Sequence, residues 1–204
     1  HTLDAYGFHA IEMVQCLAER RAGGETGVRQ VRCLAGDAVW EAVGDGVIDE
    51  ELLQAAVVPL DSSPVKRQNK SLLELSKKPT AMIIDYRDGF RASILTLNGA
   101  VSEWSVAWTE DGDIKATLFW TQEARPFMHF THLVKGIETM FHSGKPAWPA
   151  ERTLYTSAIL DAALISLKRG GVKVSTPYLD IPYHSSWNWR QPPPPPAGRP
   201  IHSK

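Results

Sequence analysis

The groups nearest to chemistry gather at residues 6–13, YGFHAIEM. His9 follows Gly7 by two residues and precedes Glu12 by three, inside a helically periodic stretch. Imidazole suits proton transfer near neutral pH, so His9 reads either as a catalytic acid/base or as a histidine on a packed helix. Tyr6, one turn earlier, can meet a substrate hydroxyl or serve as a core or interface aromatic. Glu12, one turn later, supports the helix. A second group, His129 and His132, is spaced i, i+3 with Glu138 and His142 nearby. Zinc needs three or four ligands in a closed geometry, and two histidines at one spacing do not define one; no metal site is expected. Cys16 and Cys33 form no CxxC pair and are expected as buried free thiols.

These residues need elements to hold them. Ala5–Arg21 has apolar residues at helical spacing, and Gly23-Gly24 stop it. Residues 28–34, VRQVRCL, alternate like a strand. Asp49–Val58 predicts a short helix with acids in its first turn. Pro59–Pro79 reads as a polar loop, and Gly36–Gly46 is ambiguous. Residues 81–99 predict two strands around Arg87-Asp88-Gly89, and 101–121 repeat the pattern around Glu110-Asp111-Gly112-Asp113. Four successive strands predict an antiparallel meander. On its third strand Trp104, Val106 and Trp108 share a face, joined by Trp120, as packed core, subunit contact or a surface stacking on a sugar ring. Helices follow at Phe127–Ser143 and Glu151–Arg169, then an extended segment. The expected class is α+β, with an open, mostly antiparallel sheet and helices packed on one face. Residues 1–184 form the domain, and 185–204 a proline-rich extended or disordered tail.

Composition excludes several partners. Net charge is −1, with 43% hydrophobic and 22% charged residues. No basic field exists to attract nucleic acid, and no apolar run approaches the roughly 20 residues that span a bilayer. No G-x-G-x-x-G follows a predicted strand, and no P-loop, H-E-x-x-H or G-x-S-x-G is present. The cluster Gly23-Gly24-Glu25-Thr26-Gly27 ends a helix instead of opening one, the wrong context for a dinucleotide's pyrophosphate.

Three stretches together resemble one family: YGFHAIEM at 6–13; FTHLVKGIETMFHSGKPAWPAERTLYTSAILDAALISLKRGG at 130–171; and VSTPYL at 174–179. They are similar to the C-terminal domain of the Gfo/Idh/MocA oxidoreductases, which include glucose–fructose oxidoreductase and inositol dehydrogenase. The resemblance runs from about residue 5 to about residue 184. It implies a substrate-binding α+β domain preceded by a Rossmann domain that binds NAD or NADP, with hydride transfer to or from a sugar, polyol or related compound. It also implies a homo-oligomer through the sheet face. A cytoplasmic enzyme with no nucleic-acid or membrane partner is the matching expectation, and the start at His1 instead of Met fits an upstream domain. In the family a D-x-G-x-H helix carries the proton acceptor. Gly7-Phe8-His9 matches G-x-H, which implies a catalytic His9, with Tyr6 and Glu12 beside the substrate. Arg125 and His129, at the sheet-to-helix junction, are implied substrate contacts. Ala5 stands at the position of the usual Asp, and Asp4 is one residue out of register. That departure leaves a second expectation open: a non-catalytic binding or oligomerisation domain of the same fold.

Overall fold

The computed structural model of the chain describes residues 2–123, 125 and 127–185. The expected proline-rich tail lies outside the described residues from 186 onward.

The chain opens with helix α1 (Leu3–Ala18), runs into strand β1 (Val28–Ala35), and then forms α2 (Asp37–Gly44) and α3 (Glu50–Val57). Asp49 caps α3 by accepting the Leu52 N–H at 3.0 Å. Two single-turn helices, α4 (Pro64–Arg67) and α5 (Leu72–Leu75), occupy the region expected as loop. A reciprocal Ser71–Glu74 capping box starts α5. Strands β2 (Thr80–Tyr86) and β3 (Arg91–Thr96) form the expected hairpin, as do β4 (Ser105–Glu110) and β5 (Asp113–Leu118). Helices α6 (Met128–Ser143) and α7 (Ala150–Lys168) follow, then the two-residue strand β6 (Val174–Ser175).

The class is α+β with an open antiparallel sheet, in the order β3-β2-β1-β6. A bulge between Val28 and Gln30 lets both Val28 and Val31 face inward. With Cys33, Met82, Ile84, Ala92 and Ile94 they form the sheet face that α1 and α7 cover. The opposite face carries Leu34, Ala81 and Ile83, which pack under Val39 and Ala42 of α2. Small residues bring α7 close: Ala162, Ala163 and Ser166 are buried, and Ser166 Oγ accepts the Cys33 N–H at 2.8 Å, where β6 is too short to reach it. Burial pushes the Cys33 thiol up to about 11, so it is an inert core group.

The four-strand meander does not form. β4 and β5 make a separate two-stranded ribbon, because the connection after β3 is tied to the 59–79 region instead of turning tightly. Lys77 N–H donates to the Asn98 carbonyl at 2.6 Å, Val65 N–H to the Ala100 carbonyl at 2.9 Å, and Ser102 N–H to Ser63 Oγ at 3.1 Å. Gly99 holds φ +95° with its Cα against the Leu75 carbonyl, where a Cβ would come within 2.5 Å. Ser105 Oγ then donates to the Ala56 carbonyl at 2.7 Å, drawing β4 onto α3 and away from β3.

The α2 face also holds an ion pair in register across three strands. Gln30 Nε2 and Arg91 Nε each donate to Asp85 at 2.6 Å. Burial raises the Asp85 pKa, but these hydrogen bonds and the Arg91 charge outweigh it and hold the carboxyl below its usual range. The resulting stabilisation is present above about pH 4 and is lost as pH falls through the native value. Asp85→Asn should lose about 1 kcal/mol at neutral pH, because Arg91 is half exposed, and almost nothing near pH 2. Urea midpoints at the two pH values check this.

Candidate functional site

α1 is held by a buried polar cluster that the sequence does not announce. Its inner face runs Leu3, Gly7, Ile11, Gln15, Ala18. Gly7 seats against α7, where a Cβ would lie 2.9 Å from Leu160 Cδ1. Beyond Ile11 the same face turns polar at Gln15, and two buried carboxylates gather beside it. Gln15, Glu19 and Glu25 are almost wholly inaccessible. Gln15 Nε2 donates to Glu25 at 2.6 Å and to Tyr183 Oη at 3.0 Å, and its carbonyl accepts from Tyr86 Oη at 3.0 Å. Tyr183 Oη in turn donates to Glu19 at 2.9 Å.

Each acid has its own compensation. Glu19 is paired with Arg152 Nη1 at 3.0 Å, and Arg152 Nε reaches Glu12 at 3.1 Å. Glu25 accepts the Thr26 and Gly27 N–H groups, both at 2.9 Å, with the Arg21 guanidinium 3.9 Å away. Arg21 also stacks over Tyr86 and Phe90, 4.6 and 4.5 Å from their centroids, and pairs with Asp88 in the β2–β3 turn. Desolvating a carboxylate costs several kcal/mol, and charge-assisted hydrogen bonds at about 1.5–3 kcal/mol each offset it only when all are made. Here both oxygens of both acids are engaged. Burial pushes the phenols of Tyr86, Tyr155 and Tyr183 upward, so they remain neutral donors. The cluster is a structural clamp.

The same contacts decide the fate of the glycine-rich turn. Its Thr26 and Gly27 N–H groups are filled by Glu25's own carboxylate. A Cβ on Gly24 would come within 2.9 Å of the Tyr183 carbonyl, and one on Gly27 within 2.9 Å of the Leu179 carbonyl. Gly24 and Gly27 admit the chain's own strap at residues 179–183. A turn whose Thr26 and Gly27 N–H groups are already engaged does not fit the pyrophosphate of NAD or NADP.

A cavity of about 1050 Å³ opens on the other side of α1. Every residue of β3 and of β4 lines it, whichever face the side chain takes, so it runs between the outer edges of these two strands. Tyr6, Ala10, Met13 and Leu17 of α1 wall one side, and Leu52 and Ala56 of α3 the other. Trp104 and Trp108 belong to this wall, with Phe90 and Phe119; Asp49, Asn98 and Glu103 supply polar groups. Trp120, expected beside Trp104 and Trp108, is not among the lining residues.

The five residues singled out from the sequence do not converge. Tyr6 borders the cavity; His9, Glu12, Arg125 and His129 do not. His9 is exposed and makes no hydrogen bond or ion pair among the described residues; its ring lies 6.2 Å from those of Tyr6 and Phe8. Asp4 does not reach it. The Asp4 carboxylate turns back to the helix start, accepts the Ala5 N–H at 3.1 Å, and is held below its usual range chiefly by the Thr2 hydroxyl. Glu12 is occupied by Arg152. Arg125 lies over Phe127, 5.9 Å from the ring centroid, and His129 Nδ1 donates to the Gln122 carbonyl at 3.1 Å, fixing the segment ahead of α6. Among the described residues no group of three or more His, Cys, Asp or Glu side chains could hold a metal ion, and no helix is long and apolar enough to cross a membrane.

Comparison with family models, with curated proteins and with solved structures finds no match for this chain.

The clamp makes a sharp prediction. Arg152→Ala strands Glu19 as an uncompensated buried charge and should cost about 3–5 kcal/mol. The double variant Glu19→Gln with Arg152→Met removes both charges and should recover more than half of that loss. Denaturant titrations of the two variants measure the difference, and equal losses would refute the clamp.

Proposed function

We propose that the chain is the substrate-binding domain of an NAD(P)-dependent oxidoreductase of the Gfo/Idh/MocA kind, acting on a sugar, polyol or related compound. The observation that carries this reading is the pairing of two features on one helix: the unengaged, exposed imidazole of His9 and, one turn earlier, Tyr6 at the border of a large cavity. The cavity's lining suits the substrate class. Trp104, Trp108 and Phe119 offer flat apolar surfaces for sugar ring faces, with the polar residues Asp49 and Asn98 beside them.

In this reading His9 accepts the proton of a substrate hydroxyl at a free ring nitrogen, and Tyr6 orients that substrate at the cavity mouth. Arg125 and His129 are kept as secondary substrate contacts, and Glu12 acts through Arg152 by fixing the helix. The nicotinamide cofactor is held by another, Rossmann-type domain, since the glycine-rich turn here is closed. A cytoplasmic location and a homo-oligomer in which the sheet face takes part belong to the same reading.

A second reading is favoured by the Asp4 geometry. With its carboxylate committed to the helix start and Ala5 in the register position, His9 has no acidic partner to orient it. A non-catalytic binding domain of the same fold has that property too.

Kinetics in the protein carrying both domains separate the two. His9→Ala should lower turnover about 10²-fold or more if His9 is the proton acceptor; an unchanged rate leaves the non-catalytic reading. For the 204-residue chain, calorimetry should detect no NADP binding. Polyols should perturb its tryptophan fluorescence in a way that Trp108→Ala abolishes.

A further inference from the structure

α6 stands almost unpacked on its own domain. Gly136 is its one buried residue, seated under Trp148, whose ring a Cβ there would meet at 2.9 Å. Phe130, Leu133, Val134, Ile137, Met140 and Phe141 are all exposed, from 38% for Ile137 to 80% for Phe141. At 100° per residue these six fall within an arc of about 120° with no charge among them. A helix of this length draws its stability from packing an apolar face, not from propensity alone. With aromatic side chains of about 150–250 Å² and smaller aliphatic ones, the stripe presents on the order of 600 Å². That is the upper end of the largest patch on a typical monomer, and roughly three-quarters of the 800 Å² or so that each partner contributes to a standard interface.

The order of residues along the stripe suits a second copy of the same helix. Counted from Ile137, apolar residues stand at −7, −4, −3, +3 and +4, and the +7 position is Gly144. From −4 to +4 the pattern is palindromic. We propose that α6 packs antiparallel against α6 of a second copy of this chain, about a two-fold axis at Ile137. That axis sets Ile137 against Ile137, Leu133 against Phe141, and Val134 against Met140. Phe130 then lies over Gly144, the helix C-cap with φ +66°, where the missing side chain leaves space for the ring. Two-fold pairing of one patch with itself is the commonest closed assembly, and the interface is independent of the oxidoreductase reading.

Sedimentation of the full chain at micromolar concentration should give the mass of a dimer. Ile137→Asp puts two like charges face to face on the axis and should weaken dimerisation about 100-fold or more, with the far-UV circular dichroism unchanged. Ile137→Cys should link to its own copy as a disulfide dimer under mild oxidation, while Thr139→Cys, on the far side of the helix, should not. A monomeric parent chain, an assembly whose mass Ile137→Asp leaves unchanged, or no cross-link through Ile137→Cys overturns the proposal. Should Ile137→Asp fail to fold, the cross-link alone decides.

Discussion

Much of the architecture hangs on the pair of buried carboxylates, Glu19 and Glu25, and the groups that answer them. Neither sits in a layer of its own. Glu19 ends α1 and is answered by Arg152 in α7 and Tyr183 near the end of the described chain. Glu25 starts the approach to β1 and is answered by Gln15 in α1 and by its own turn. Tyr86 joins β2 to the same point. One polar knot thus sets the angle of α1 on the sheet, the position of α7, and the path of the final strap, which pairs with Glu25 through Tyr183. A hydrophobic face alone permits α1 to slide or rotate against α7. Hydrogen bonds of fixed length and direction do not, and leaving any of them unmade inside the protein is expensive.

From α1's fixed position the rest of the candidate site follows. The helix turns its inner face to α7 and β1, its flank with Tyr6 to the cavity, and His9 to the outside. The cavity exists because β4 was drawn onto α3 and the edge of β3 was left without a neighbouring strand. Open strand edges are usually covered or paired. Here the edge of β3 forms the wall of a cleft instead, with α1 and α3 on either side of it.

Local pattern was readable in the sequence wherever one short stretch decides the outcome. The alternation in β1, the Asp-Gly hairpin of β2 and β3, the period of α1 and α7, and the Gly144 stop all work within a few residues. What was not legible depends on partners far away in the chain. Four successive strands read as a meander because nothing near Leu97 shows that Ser63 and Leu75 will hold the connection. The Ser71–Glu74 capping box lies inside a polar stretch with no periodicity around it, so the stretch read as a loop. The burial of Glu19 and Glu25 was not legible, since a buried acid is recognised only by its partners, and Glu19's lie in α7 and at Tyr183. At the site, the exposure of His9 follows from the helical period, whereas the closure of the glycine turn by Glu25 does not, because the same glycines would serve an open anion cradle equally well.

The strap has a temporal consequence. Gln15 and Tyr183 are 168 residues apart, so α1 waits during synthesis for almost the last described residues before its polar face is satisfied. Contacts of such separation form late, and synthesis proceeds at about 5–20 residues per second. For many seconds α1 therefore has an apolar flank ready to dock and a carboxylate end that does better in water. The polar end of α1 is therefore completed only when the strap around Tyr183 has been made.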